Sequence, residues 1–365
     1  MSYFEKYNLN RPAWLLPHRT DEPPVEGLRD LLLRLMQGKN LTREEAKFLL
    51  DHLLKGEATD AQIAAALTAL AIKGETVEEL AGMAEAMRGN AVRIETVHTE
   101  FIDTAGTGSS RVKTFNVSTA AAFVIAGAGL PVAKHGSRAA TSRSGSADVL
   151  GALGVNVAAS RDASERALNE IGICFMFAPL YHASTARVAA VRRELGVHTT
   201  FNLLGPMTNP AGAPFQIMGV WHKDLVAPVA GTLRALGTKR AFVVHGHDGL
   251  DEITVESRTS VAEITPDYIK FFEVAPEDFG FERVANIDAL RGGDAQQNAK
   301  IISEILENKR RYAERSLVLM NAAAALFIAG RAENLRDAAH LATESLESGA
   351  ALEKLERLKE ITREN

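Results

Sequence analysis

Two glycine- and hydroxyl-rich segments, residues 103–119 and 134–148, contain the side chains of this sequence that are best suited to chemistry. Each segment follows a short apolar stretch typical of a β-strand and leads into a small-residue run typical of a helix. Glycine lets backbone N–H groups approach an anion closely, and a helix N-terminus adds free donors and a positive dipole end. The pair of segments therefore predicts two anion-binding loops, which suit a ligand with two separate phosphate groups.

The first segment turns at Gly106-Thr107-Gly108, which by itself also fits a plain strand-to-helix connection. It is not a dinucleotide fingerprint, because that pattern requires glycine where Arg111 stands, and no Gly-Lys-Ser/Thr of a P-loop follows. Three polar side chains at the start of the next helix could meet phosphate oxygens or a hydrated metal: Asn116, Ser118 and Thr119.

The second segment combines Lys134, His135, Arg138 and Arg143 with several hydroxyl side chains directly after a strand. Such a density of donors at a strand end favours an anion or polar-ligand site over a solvated loop. His135 could move a proton, but its ring could equally bond a neighbouring carbonyl group.

Two further groups of residues point to a metal and to an acidic ligand. Asp251 and Glu252 follow the strand-like residues 241–244, and adjacent carboxylates suit Mg²⁺ shared with substrate phosphates, although they could instead cap a helix. Arg192 precedes an apolar glycine–proline stretch, residues 201–210; together they could receive an aromatic acid, or Arg192 and Arg193 could be a surface pair before a loop. The sequence shows no convincing acid–base dyad and no zinc-ligand spacing.

The composition describes a globular protein of more than one core. The chain has 365 residues, of which 46% are hydrophobic and 24% charged, with a formal net charge of −5. This acidic balance argues against a nucleic-acid partner. Cys174, the single cysteine, lies in an apolar strand-like run and is predicted to be a buried, inert thiol. Without a signal-peptide pattern or a membrane-spanning run, we expect a cytoplasmic protein with no membrane partner.

The elements that must hold these residues fall into three parts. Residues 1–26 contain four prolines and are expected to form an irregular extension. Residues 27–95 are predicted to form a helical domain, to which part of 178–200 could also belong. Residues 96–365 alternate strands with helices, which predicts an α/β domain with a mostly parallel central sheet flanked by helices.

The individual elements follow from capping signals and periodicity. Three capping boxes begin the predicted helices of the first domain: Thr42 with Glu45, Thr59 with Gln62, and Thr76 with Glu79. Strands are expected at 99–103, 130–133, 154–157, 173–177, 215–221 and 240–245, with a less regular strand–loop insertion at 262–285. Helices are expected at 118–128, 146–152, 162–171, 224–236, 296–308, 314–330 and 335–361.

Taken together, the motifs resemble the anthranilate phosphoribosyltransferase family over about residues 27–350. The matching pieces are Gly106-Thr107-Gly108, Thr114–Thr119, Lys134-His135-Gly136, Ser144–Asp148, Val191–Gly196, Phe201–Pro210, Asp248–Glu252 and Gly292-Gly293-Asp294. The resemblance implies a nucleoside phosphorylase/phosphoribosyltransferase-like fold and a homodimer joined through the helical domains. It also implies transfer of phosphoribosyl from phosphoribosyl pyrophosphate to anthranilate in tryptophan biosynthesis, with Mg²⁺.

The resemblance assigns site residues by motif. Those implied to bind phosphoribosyl pyrophosphate are Gly106, Gly108, Ser109, Ser110, Thr114, Asn116, Ser118, Thr119 and Lys134. Those implied to bind anthranilate are His135, Gly136, Ser137, Arg192, Gly205 and Pro206. Those implied to bind Mg²⁺ are Ser118, Asp251 and Glu252. No residue is assigned as a catalytic acid or base, because the anthranilate amine is already nucleophilic near neutral pH.

The chain departs from the family pattern at two places. Ser109-Ser110 stand where the family usually has Gly-Asp, which predicts a weaker Mg²⁺ requirement in this loop, with serine hydroxyls and nearby cations contacting pyrophosphate directly. Ser137 stands where the family usually has Asn, which leaves the acceptor open to a related aromatic amine. Two different functions also stay open at this point: a non-catalytic relative that binds nucleic acid, and a nucleoside phosphorylase of the related fold.

Overall fold

A computed structural model describes residues 27–108, 112–139, 143–285 and 290–364. They divide into two compact units. The helical unit consists of residues 27–91 and 182–208, so a second stretch of chain completes the N-terminal helices. The α/β unit consists of residues 92–181 and 209–364. The predicted extension at 1–26 lies outside the described residues.

The helices and strands have the following bounds in chain order. The helices are α1 Leu28–Met36, α2 Arg43–Lys55, α3 Asp60–Lys73, α4 Val77–Gly89, α5 Val117–Gly127, α6 Ser146–Ala152, α7 Arg161–Ile171, α8 Ala178–Tyr181, α9 Ala186–Leu195, α10 Phe201–Met207, α11 Val226–Ala235, α12 Ala295–Leu306, α13 Ala313–Ile328, α14 Leu335–Glu347 and α15 Ala350–Arg363. The strands are β1 Ile102–Gly106, β2 Val132–Gly136, β3 Ile173–Phe177, β4 Phe215–Gly219, β5 Arg240–Gly246, β6 Thr259–Ile264 and β7 Ile269–Val274.

The helical unit begins its helices at the three capping boxes that the sequence predicts. Thr42, Thr59 and Thr76 each accept a hydrogen bond from the backbone N–H three residues on, and the Glu or Gln side chain there accepts one from the threonine N–H. The reciprocal bonds satisfy donors that a helix start otherwise leaves unpaired. The three predicted helix starts are confirmed.

The α/β unit is built on one mixed sheet with the strand order β3-β2-β1-β4-β5-β6-β7. The first five of these strands run parallel, β6 pairs antiparallel with β5, and β7 pairs antiparallel with β6. The chain moves outward from β1 to β2 and β3 and then returns to the other side of β1 as β4. This reversal is a topological switch point, where ligands of open α/β sheets bind beyond the carboxyl ends of the strands.

The predicted α/β class is confirmed, with corrections to single elements. Residues 154–157 are not a strand: Gly154 has φ +92° and Asn156 Oδ1 accepts from Ala158 N–H, so a turn joins α6 to α7. The alternation of valines there only imitates a strand pattern. The predicted helix 335–361 divides into α14 and α15 at Gly349, which has φ +81°. The insertion predicted at 262–285 contains the end of β6 and all of β7, which extend the sheet through antiparallel pairs.

Two apolar helices form the centre of the α/β unit. α5 and α13 pack against each other, and both are buried along most of their length. Their alanine runs, 120–122 and 322–325, allow this close approach. Cys174 is buried in the neighbouring core, as predicted, and burial raises the pKa of its thiol. No helix in the described part of the chain is long and apolar enough to cross a membrane.

Candidate functional site

The carboxyl ends of β1 and β2 bring the two glycine-rich segments together. Lys134, on β2, is almost fully buried, and its Nζ donates hydrogen bonds to the Thr104 carbonyl oxygen on β1 and, at 3.3 Å, to Ser118 Oγ. Ser118 lies in the first turn of α5. A lysine from the second segment therefore stands at the helix start that follows the first segment, as the parallel topology requires.

The loop after β5 crosses the ends of β1 and β4 and places Asp251 over them. A Cβ atom on Gly219 would lie 1.7 Å from the Asp251 carbonyl oxygen, and one on Gly106 would lie 3.2 Å from Asp251 Oδ2. Asp251 Oδ2 also accepts a 3.0 Å hydrogen bond from the Gly108 N–H. β4 thus ends in glycine because the loop backbone occupies the space of a side chain, whereas at the end of β1 the Asp251 carboxylate is the near neighbour.

Glu252 faces the start of α5 and the lysine. The Ser118 backbone N–H donates a hydrogen bond to its carboxylate, which lies close enough to Lys134 for their charges to attract. Burial, together with the neighbouring Asp251 carboxylate, nevertheless raises the pKa of Glu252 to about 8. Two crowded carboxylates in a poorly solvated site favour a bound cation, because it would stabilise both charges.

Asp103 is a buried acid on β1 that the sequence analysis did not assign to the site. Its Oδ1 accepts a 3.2 Å hydrogen bond from the His135 N–H, and desolvation raises its pKa to about 6 despite the opposing effect of Lys134. Burial in turn lowers the pKa of Lys134, an effect that Asp103 and Glu252 oppose. A lone acid inside an apolar strand is the sequence signal that could have identified it.

Asn116 joins the two segments through its side-chain amide. Its Nδ2 donates to the Ser144 carbonyl oxygen at 3.1 Å, and its Oδ1 accepts from Asn298 Nδ2 at 3.0 Å. Thr114 forms an isolated bridge with Arg291, beside the Gly292-Gly293 turn. The Thr119 hydroxyl, at the same helix start as Asn116, is buried and has no hydrogen-bond partner among the described residues. Asn116 therefore holds loops together, and its second amide hydrogen has no acceptor in the described part of the chain.

The remaining predicted residues of the α/β unit lie at the end of β2 or outside the described residues. His135 and Gly136 are the last residues of β2, and Ser137 follows as an exposed residue whose hydroxyl donates to the Arg138 carbonyl oxygen. A Cβ atom on Gly136 would lie 2.1 Å from Ser146 Oγ, so the second segment packs closely onto the strand end. Ser109 and Ser110 lie outside the described residues.

Arg192, Gly205 and Pro206 belong to the helical unit. Arg192, near the end of α9, donates to Thr199 Oγ1 at 3.0 Å and to Asn202 Oδ1 at 3.2 Å. Its guanidinium lies 5.2 Å from the centroid of the Phe201 ring, and burial lowers its pKa. No Asp or Glu forms an ion pair with it in the described part of the chain, so a half-buried cation faces neutral acceptors. Gly205 and Pro206 lie in the helix α10, where the sequence suggests a loop.

The donor set fits a magnesium ion. Asp251 and Glu252 supply hard carboxylate oxygens. The Ser118 hydroxyl is near them, because Lys134 donates to it and also lies close to Glu252. The same carboxylates accept from Gly108 and Ser118, the backbone donors that are predicted to meet phosphate. Phosphates brought to this place would repel the carboxylates unless a divalent cation lay between them. These three side chains are therefore the ones that would hold Mg²⁺.

Two buried asparagines behind the site were also missed. Asn321, on α13, hydrogen-bonds the backbone of Ile253, and Asn298, on α12, bonds both Asn116 and the Gly293 N–H. Each is a polar side chain on a buried helix face, which is the signal that sequence reasoning could have used.

Comparison with known proteins finds matches for both parts of the chain. A family model described as the α/β domain of a glycosyl transferase family matches residues 98–352, and one described as its helical bundle domain matches residues 29–91. The anthranilate phosphoribosyltransferase of Desulfosudis oleivorans is 48% identical over 92% of this chain and 98% of its own length.

Solved structures give the same result. The anthranilate phosphoribosyltransferase of Thermus thermophilus superposes with a TM-score of 0.87 at 39% identity, covering 92% of this chain and 99% of the other. That of Saccharomyces cerevisiae, in complex with phosphoribosyl pyrophosphate and Mg, superposes with a TM-score of 0.84 at 27% identity, covering 93% and 98%.

Proposed function

The chain belongs to the anthranilate phosphoribosyltransferase family, and we propose that its α/β unit binds phosphoribosyl pyrophosphate and Mg²⁺ at the carboxyl ends of β1 and β2. The enzyme is a pentosyltransferase of tryptophan biosynthesis. It transfers the phosphoribosyl group from phosphoribosyl pyrophosphate to the amine of anthranilate, giving N-(5′-phosphoribosyl)anthranilate and pyrophosphate.

One observation carries the proposed site. Asp251 accepts from the Gly108 N–H and Glu252 from the Ser118 N–H, so the carboxylate pair lies along the first predicted phosphate-binding segment, and Glu252 is also near Lys134 of the second. Neither carboxylate is near these segments in sequence. The β-sheet topology brings them there, at the switch point between β1 and β4.

The residues contribute by binding and orienting. The start of α5, where the buried Thr119 hydroxyl has no partner among the described residues, meets phosphate oxygens, and Lys134 adds a buried positive charge. The roles of Gly106 and Gly108 stay predictions from the resemblance. When bound, Mg²⁺ supplies the positive charge that stabilises the leaving pyrophosphate. Because the bond to pyrophosphate weakens as positive charge develops on the ribose, most of the rate comes from neutralising the leaving group and aligning the amine. A dedicated base is not needed.

Acceptor binding rests on a separate argument. Arg192 is half-buried and hydrogen-bonded to two neutral side chains, so an incoming carboxylate gains a charge-assisted bond at little desolvation cost to the guanidinium. We propose that it binds the anthranilate carboxylate. The acceptor roles of His135, Gly136, Ser137, Gly205 and Pro206 stay predictions from the resemblance.

The direct test follows loss of anthranilate fluorescence in the presence of phosphoribosyl pyrophosphate and Mg²⁺, with substituted anthranilates as competing acceptors. We expect the enzyme to turn over anthranilate, and to do so faster than the substituted anthranilates. A strong preference for another aromatic amine would show that Ser137 has changed the acceptor. If the fluorescence is not lost with any aminobenzoate, a non-catalytic binding protein is favoured.

We further propose a homodimer formed through the helical unit. Four large apolar side chains of α1–α3 are exposed there, which is a feature of protein interfaces: Leu33, Met36, Phe48 and Ile72. Light scattering on a sizing column should give a dimer mass for the native chain and a monomer mass for Phe48→Glu. Tyr312→Glu, at a site of the α/β unit that is 81% exposed, is the control that should stay dimeric. A cytoplasmic location stays a prediction.

A further inference from the structure

We propose that Asn321 is a positioning residue for the reaction: it fixes the backbone beside Glu252 and so sets where the carboxylate pair can hold Mg²⁺. The inference rests on the proposed placement of Mg²⁺ at Asp251 and Glu252. Asn321 touches no reacting atom; it acts through the loop that carries the pair.

The side-chain amide of Asn321 uses all of its polar groups in hydrogen bonds. Asn321 Oδ1 accepts a 3.0 Å hydrogen bond from the Ile253 N–H, and its Nδ2 donates at 3.0 Å to the Ile253 carbonyl oxygen. The second amide hydrogen goes to the Leu317 carbonyl oxygen at 2.9 Å, one turn earlier in α13. Both donors and the acceptor are therefore used, and only 3% of the asparagine surface is exposed.

The two bonds to Ile253 replace those that a neighbouring strand would make. Residues 247–258 join β5 to β6 without forming a ladder, and Ile253 is fully buried, so its N–H and carbonyl groups need partners inside the protein. A single amide side chain on a packed helix supplies both. The position of Ile253 is thus fixed by α13 and not by the sheet.

This anchoring matters because Ile253 directly follows the carboxylate pair. On its other side, the pair is limited by Gly219, whose missing side chain makes room for the Asp251 carbonyl oxygen. Asn321 also lines the same small cavity as Ser118 and Glu252. The loop is therefore held between the end of β4 and α13, and the backbone that carries the carboxylates can move little without breaking the bonds to Asn321.

The rest of the loop does not replace this contact. Asp248 accepts hydrogen bonds from the Leu250 N–H and the Thr254 hydroxyl, which fold the turn upon itself. Those bonds set the shape of the turn but tie it to no helix. Asn321 is the side chain that ties it to α13, so the Mg²⁺ site should loosen when this amide is removed.

Asn321→Leu keeps the size of the side chain and removes all three hydrogen bonds. Outer-sphere partners of a metal site are worth about 10- to 100-fold in metal affinity. We expect the Mg²⁺ concentration for half-maximal rate to rise by about that factor while the KM for anthranilate stays unchanged. Calorimetric titration of phosphoribosyl pyrophosphate at several Mg²⁺ concentrations should show the same shift without turnover.

Two further variants keep the test decisive. If Asn321→Leu does not yield folded protein, Asn321→Asp retains the size and the acceptor for the Ile253 N–H but loses both donors, and it should shift the Mg²⁺ dependence in the same direction. Thr362→Val is the matched control: it removes a buried hydroxyl that accepts from the Asn156 N–H, away from the loop. It should lower stability without changing the Mg²⁺ dependence.

The outcomes separate this inference from the proposed metal site. Lower stability of the Asn321 variants with unchanged Mg²⁺ dependence, or an equal loss in every kinetic constant, would overturn the positioning role. Asp251→Asn is the reference for the metal site itself. If that variant raises the Mg²⁺ requirement and the Asn321 variants do not, only the inference fails. If Asp251→Asn also leaves the Mg²⁺ requirement unchanged, the assignment of Mg²⁺ to Asp251 and Glu252 is wrong.

Discussion

Replacement of Gly219 by alanine should disable the site through the backbone of the loop above it. The new Cβ atom would lie 1.7 Å from the Asp251 carbonyl oxygen and 2.5 Å from its carbonyl carbon, whereas ordinary contacts begin at 3.4 Å. The loop must therefore retreat by well over 1 Å. Because the obstacle is backbone and not the end of a flexible side chain, no rotamer change relieves it.

A misplacement of about 1 Å can cost about 10²-fold in rate, which corresponds to about 2.7 kcal/mol of transition-state stabilisation. We expect kcat/KM of Gly219→Ala to fall at least that far, and its Mg²⁺ requirement to rise, in the anthranilate fluorescence assay. Gly106→Ala should have a smaller effect, because its Cβ atom would lie 3.2 Å from Asp251 Oδ2, the mobile end of a side chain.

Gly151→Ala is the matched control, since a Cβ atom there has no neighbour within 4 Å and φ is not positive. It should keep full activity and gain up to about 1 kcal/mol of stability. Thermal unfolding of all three variants separates activity loss from loss of fold. A folded Gly219→Ala enzyme with native kcat/KM and native Mg²⁺ dependence would refute the placement of Asp251 over the strand ends.

Three other changes test other parts of the molecule. Arg192→Lys loses the planar fork that suits a carboxylate, so the KM for anthranilate should rise about tenfold while the KM for phosphoribosyl pyrophosphate stays near its native value in steady-state assays. His182 is buried with its pKa lowered to about 4, so the folded chain binds fewer protons than the unfolded chain below pH 6.5. The contribution of His182 to stability should therefore fall by about 3 kcal/mol as the pH drops from 6.5 to 4, while Asp103, whose pKa is raised to about 6, contributes in the opposite direction. The difference in urea unfolding between the native chain and His182→Gln, measured at both pH values, isolates the His182 contribution. Ser110→Asp restores the family carboxylate and should raise the Mg²⁺ requirement; an unchanged requirement and KM for phosphoribosyl pyrophosphate would contradict the role given to the two serines.

Local signals in the sequence accounted for much of the fold. The capping boxes at Thr42, Thr59 and Thr76 fixed three helix starts, because a cap is made by residues only three apart. Strand–helix alternation predicted the parallel sheet. The prediction failed at 154–157, where alternating valines imitate a strand but Asn156 and Gly154 form a turn. Alternation reports a local pattern, whereas a strand also needs a neighbour to pair with.

By itself, the sequence determined the chemical groups of the site and the family, since glycines, the Asp251–Glu252 pair and Lys134 stand in recognisable local motifs. Only the tertiary structure decided which groups meet. It brought Asp251 to the Gly108 N–H, buried Asp103 near enough to Lys134 for their charges to interact, and gave Ile253 its partner in Asn321, 68 residues away. Such contacts depend on strand order and helix packing, which join residues distant in the chain and leave little periodic trace in it.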